Sequence, residues 1–167
     1  MTTGADVLRP FSAPLWRICT EGADPLAFVA SPMGRFHHNG QPALYASLSP
    51  EGAGVALASY VTPGDPARLI WPLHLSRQAL ADLRDPSACA VLGIDPEDLV
   101  SQWTKAQTAG RPVRSWRASD RLRALGFDGF LYPSRKSPEH GHATLFTATG
   151  LRLAGPPKPW RLPVLDC

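Results

Sequence analysis

Apolar residues along this chain recur in short stretches, some with the two-residue period of strands and some with helical spacing, separated by Gly- and Pro-rich breaks. Leu15-Trp16-Arg17-Ile18 alternates and predicts a first strand. Ala43–Leu48 predicts a second, bounded by Gly40-Gln41-Pro42 and Ser49-Pro50. A helix should follow, with Ser49 as its cap, Pro50 in its first turn and Glu51 at the positive end of its dipole. It should end near Tyr60, before Thr62-Pro63-Gly64. Ala53, Ala56, Leu57 and Tyr60 share one face of it, which is expected to look inward.

Arg68–Leu75 predicts a strand, with Pro72 implying an edge or a bulge. Ser76–Arg84 reads as a helix packing Leu80 and Leu83, and Ile94–Leu99 as the start of another that runs towards Lys105. Trp116–Leu125 predicts a helix with Leu122 and Leu125 inward and Gly126 as its stop. Gly129–Ser134 and Ala143–Thr147 predict two further strands. Residues 1–14 lack periodicity and are expected to be a flexible lead-in, residues 15–154 the folded domain, and residues 155–167 a Pro-rich extended tail anchored by Trp160.

At 167 residues and 44% hydrophobic content the chain suits one α/β (α+β) domain, a small mixed sheet flanked by helices. It holds no apolar run of the roughly 18 residues a membrane helix needs and no secretory pattern at its start, so a cytoplasmic protein is expected. Three widely spaced cysteines, Cys19, Cys89 and Cys167, form no metal or redox pair and read as thiols, two of them buried. A net charge of +3 is compatible with phosphates, nucleic acid or an acidic partner without choosing among them.

Three segments occur in a telling order: Leu15–Ile18; then Gly34-Arg35-Phe36-His37 with Ala43-Leu44-Tyr45 and Ser49-Pro50-Glu51; then Gly126–Ser134 (GFDGFLYPS). Together they resemble the RES domain family, named for an arginine, a glutamate and a serine. The resemblance implies a fold similar to that of ADP-ribosyltransferase toxins. It also implies the toxin of a bacterial type II toxin–antitoxin system that degrades NAD by hydrolysis or phosphorolysis at the nicotinamide ribose. Protein mono-ADP-ribosylation and non-catalytic binding of NAD or ADP-ribose are the alternatives. The implied partners are an antitoxin protein and NAD as substrate, with no further cofactor and nucleic acid reached only through the antitoxin.

Loss of nicotinamide leaves an oxocarbenium-like ribose, so such a site needs cations for the diphosphate and negative charge near the ribose. Arg35, in a glycine-flanked loop, can present a planar fork to a phosphate and matches the family's arginine. Arg17 could bind a phosphate or form a structural ion pair. Tyr45 matches a position where a ring stacks on nicotinamide or bonds a ribose hydroxyl. Ser134 follows a strand end where loops meet ligands, and His37 is expected to line the pocket beside Arg35. His37, His38, His140 and His142 show no recognisable metal spacing, so no metal is expected. Arg111, Arg114, Arg117, Arg121 and Arg123 read as a solvated helix face and its entry loop rather than a nucleic-acid surface.

One position departs from the family pattern. Its glutamate lies eleven residues beyond the tyrosine, and the count from Tyr45 reaches Ala56. Glu51 cannot replace it, because five helical residues turn a side chain by about 140°. The alanine predicts a weakened or inactive form, arising either in a naturally degenerate member or by deliberate replacement in a toxic protein. Because the neighbouring motifs are intact the second origin is favoured, and it predicts glutamate at position 56 of the natural gene.

Overall fold

The computed structural model describes residues 10–163. Its longest element, β3 (Arg68–Asp82), corrects the expectation of a helix over Ser76–Arg84, because the chain stays extended through Asp82. Pairing is the reason. β1 (Pro10–Thr20) runs antiparallel along β3 as far as Ala79, and β4 (Gly129–Pro133) then pairs parallel with Leu80–Asp82. These ladders outweigh the modest helix preference of Gln78-Ala79-Leu80. Arg77 stands at φ 54°, facing a register shift between Phe11 and Ala13, and its N–H donates to Ser12 Oγ at 2.9 Å. This bulge lets β3 change neighbours midway.

β1 begins at Pro10, so part of the segment expected to be flexible is sheet; residues 1–9 and 164–167, with Cys167, lie outside the described residues. β1 also meets β2 (Leu44–Ser47) at the single pair Trp16↔Ser47. β2 pairs with β5 (Gly141–Leu145), β5 with β4, and β4 with β3, so five strands form a closed circuit. β6 (Leu151–Leu153) and β7 (Lys158–Trp160) line the other edge of β3. Pro72 is therefore not in an edge strand. It falls between the stretches paired with β7 and with β6, where no ladder donor is required.

Leu15, Leu44, Leu73, Leu75, Leu131 and Leu145 make one core against the sheet. A second lies between the sheet and α2 (Pro86–Leu92), α3 (Pro96–Leu99) and α5 (Arg114–Ala124), built on Phe36, Leu92, Leu99, Leu122 and Phe130. The expected helix from Ile94 towards Lys105 is broken into α3 and α4 (Trp103–Thr108). Leu125 is exposed rather than inward, because α5 ends at Ala124 and Gly126 turns the chain away at φ 82°. Cys19 and Cys89 are buried thiols.

α1 (Pro50–Leu57) starts as expected, with Ser49 Oγ accepting from the Gly52 N–H at 2.9 Å, and continues as a short 3₁₀ turn through Tyr60. Only part of its expected inner face is buried. Ala53 is buried, whereas Ala56 and Tyr60 are exposed, because the helix lies along the rim of a cleft.

Candidate functional site

β1 and β2 share one paired position, and a cleft of about 300 Å³ opens between these strands and α1. Its walls are Trp16, Arg17 and Ile18 of β1, Tyr45 and Ser47 of β2, and Ala53, Ala56 and Leu57 of α1; Trp103 of α4 and Arg35 also reach it. A smaller chamber of about 80 Å³ continues from it, bounded by Ser134, Arg135 and Lys136. Arg35, Ala56, Tyr60, Tyr132 and His142 belong to both. The larger space is mainly aromatic and aliphatic, and the smaller is cationic.

A tight turn holds Arg35 in place. The Gly34 N–H donates to the His37 carbonyl at 2.9 Å, and a Cβ at position 34 would stand 2.5 Å from the His37 ring, so glycine is required there. α5 anchors the same turn: the Trp116 indole N–H donates to the Gly34 carbonyl at 2.8 Å, and the Ser115 hydroxyl donates to the Arg35 carbonyl. With its backbone fixed on both sides, the half-buried Arg35 side chain reaches the junction of the chambers.

His37 does not line the cleft as expected. It is 1% exposed behind Tyr45, with Nε2 bonded to the Ser31 carbonyl at 2.9 Å and Nδ1 to the Tyr45 hydroxyl at 2.7 Å. This pattern makes Nε2 the protonated nitrogen and the tyrosine the donor to Nδ1. Tyr45 Oη also accepts the Phe36 N–H at 3.0 Å, so its hydroxyl is occupied and its ring is what the cleft receives. Burial pushes the Tyr45 phenol well above its ordinary range and lowers the pKa of His37, keeping both neutral.

Arg17 reaches the cleft wall, but its Nη1 donates to the carbonyls of Pro25 at 2.7 Å and Ala27 at 2.6 Å. These bonds brace the loop after β1. Ser134 is buried beside the smaller chamber, its Oγ accepting from the Ser137 N–H at 3.2 Å. Lys136 Nζ donates to Ser59 Oγ at 2.6 Å, beyond the Tyr60 ring. Ala56 faces both chambers, so a longer side chain there would enter them. Among the described residues neither chamber is lined by a carboxylate.

Sequence reasoning missed Trp16, Ser47, Trp103, Tyr132 and His142 as cleft residues. His142 is 5% exposed, and its Nδ1 is 2.8 Å from Ser47 Oγ. Burial, then the nearby Arg35 and His140, lowers its pKa to about 4. The alternation of β5 would have put His142 on the same side as Thr144, but not told which side carried the cleft. His38 points away from His37, stacking on Trp116 and bonding Asp120 at 2.8 Å. Among the described residues no three His, Cys, Asp or Glu side chains group as a metal site. Of the helix arginines, Arg114 and Arg117 pair with the buried Asp98 at 2.8 and 3.0 Å, while Arg123 donates to the Pro42 carbonyl and covers the Phe146 ring.

A mixed sheet closed on itself, flanked by helices and opened by a cationic and aromatic cleft, defines an α/β domain. The RES domain family matches residues 14–164, and the chain belongs to that family. The crystal structure of the M. tuberculosis MbcT-MbcA toxin-antitoxin complex contains a chain of the same fold, with a TM-score of 0.66 at 18% identity over 91% of this chain and 86% of that one. No curated protein matches the sequence.

Proposed function

We propose that this chain is the toxin member of a type II toxin–antitoxin pair, acting in the cytoplasm, and that its cleft is built to cleave the nicotinamide–ribose bond of NAD. The observation that carries this reading is the position of Ala56, at the junction of an aromatic chamber suited to nicotinamide and a cationic chamber suited to phosphate. Membership of the RES family and the fold shared with a chain of a toxin-antitoxin complex support it. In the reaction the C1′–N bond of the ribose breaks and nicotinamide leaves neutral with the bonding pair. An oxygen of water or phosphate then bonds to C1′, water releasing its proton to solvent.

Arg35 would hold the diphosphate, the Tyr45 ring would lie against the nicotinamide, and Ser134 would hold the acceptor side. A carboxylate at position 56 would stabilise the developing cation, and the alanine supplies none. Restoring it with Ala56→Glu is therefore expected to raise NAD loss by about 10²–10⁴-fold, followed with and without phosphate to name the acceptor. A folded Ala56→Glu protein that consumes no NAD would overturn the reading. Label from NAD ending on protein would instead assign ADP-ribosyl transfer.

The lack of a carboxylate on the cleft walls among the described residues favours one second reading, a module that binds NAD or ADP-ribose without chemistry. It predicts binding that persists while Ala56→Glu remains inert. The antitoxin is expected from the adjacent gene, and failure of that product either to co-purify or to block toxicity would remove the pairing.

A further inference from the structure

The proposed chemistry uses Arg35, Tyr45, position 56 and Ser134 and leaves His142 without a task. The ring is nearly buried and is pinned through Nδ1 to Ser47, which is itself 3% exposed, so it cannot swing to solvent. Its Nε2 has no hydrogen-bond partner among the described residues, and the ring borders both chambers. With Nδ1 committed to Ser47, Nε2 is the ring atom left to meet whatever enters the cleft.

We infer that His142 is a proton-coupled anion contact: Nε2 meets a phosphate oxygen of the ligand beside Arg35, and the ring takes up a proton as that oxygen arrives. The inference takes the ligand's identity from the NAD reading, while the contact itself needs only an anion. Among the described residues that border the chambers none is acidic, and the nearby carboxylate of Glu139 lies 3.9 Å from His140 on an exposed side chain. The groups around the ring are Arg35 from the turn before β2, Ser47 of β2, Tyr132 of β4 with ring centroids 5.5 Å apart, and His140 from the loop before β5. Across the chambers stand Arg17, Tyr60, Arg135 and Lys136. In the empty cleft this setting keeps the imidazole neutral. A diphosphate reverses the sign of the local field, and an opposite charge at close range raises a histidine pKa by about 1–3 units.

The neighbours also explain why the effect should be specific. Tyr132 is buried with its phenol pKa raised, so it does not change protonation in the mildly acidic range. His140 is the other titratable imidazole close by, packed against the start of α1 with Nδ1 3.4 Å from Ser49 Oγ, and it serves as the control.

ADP-ribose is a suitable probe, because its diphosphate keeps both charges across the range. Its affinity is expected to rise about tenfold from about pH 7.5 to about pH 5.5. His142→Asn, which bonds but does not titrate, should abolish that rise, and His140→Gln should keep it. Imidazole NMR of the unsubstituted protein should show the His142 midpoint raised by about 1–3 units with ADP-ribose, and in the same direction with sulfate. A midpoint moved by neither probe, or a pH dependence that survives His142→Asn, would overturn the inference. If sulfate moves the midpoint while ADP-ribose does not bind, the NAD reading falls and the anion contact stands. Should His142→Asn fail to fold, the NMR titration decides alone.

Discussion

At the residue scale, the site rests on side chains whose polar atoms are committed in pairs. Tyr45 is the clearest case: its hydroxyl joins the Phe36 amide to the His37 ring. Tyr45→Phe removes the oxygen and leaves two buried partners unmatched, so it should destabilise the protein by about 1–3 kcal/mol, read from urea unfolding at unchanged m-value. A phenylalanine variant as stable as the parent would show that the trio does not hold the Arg35 turn. The resemblance to the RES family, more than any local signal, pointed to Arg35, Tyr45 and Ser134, and all three border the cleft. His37 does not. Its direction is set by the pairing with Gly34 across the turn and by bonds to Ser31 and Tyr45, none of which nearness in sequence to Arg35 announces.

At the scale of elements, the strands at Leu44, Gly129 and Gly141 and helices α1 and α5 were legible because period, caps and stop signals coincide there. The second half of β3 was not. Ser76–Asp82 carries residues acceptable to a helix, and only long-range partners, β1 from the start of the chain and β4 from beyond residue 128, impose the extended form. Arg77 carries the local cost of that outcome at its left-handed φ. Arg77→Gly removes the Cβ penalty, and after the entropy of an added glycine it should stabilise the fold by about 0.5–1 kcal/mol, seen as a higher midpoint in chemical denaturation. A loss of stability would mean that the side chain makes contacts outweighing the strain.

At the scale of the whole molecule, the segment expected to lie over the surface as an extended tail anchored by Trp160 is part of the sheet and touches the helix that borders the cleft. β7 pairs with Arg68–Ile70, and the Trp160 indole lies so close to Gly54 that a Cβ there would meet its Nε1 at 3.4 Å. The sequence showed Trp160 as an anchor, but the pairing was invisible because Pro159 argues against a strand and the partner lies some ninety residues earlier. Trp160→Ala should lower Tm by about 3–6 °C, consistent with the loss of a half-buried aromatic contact in a domain of this size. An unchanged Tm in a calorimetric scan would show the tail to be dispensable.

The course of β3 also bears on how the chain reaches its fold. One strand meets partners from near the start of the sequence and from its last quarter, so many of its native contacts join residues far apart along the chain. Loop closure on that scale comes before any ladder can reward it, which places folding in the slower, millisecond-to-second regime of β-rich domains. During synthesis, Arg68–Leu75 would leave the ribosome with β1 already available on one edge while its other edge stays open until Leu151–Trp160 follows. For that interval the nascent chain displays an unpaired strand edge, the feature through which chains of this kind aggregate or engage a chaperone.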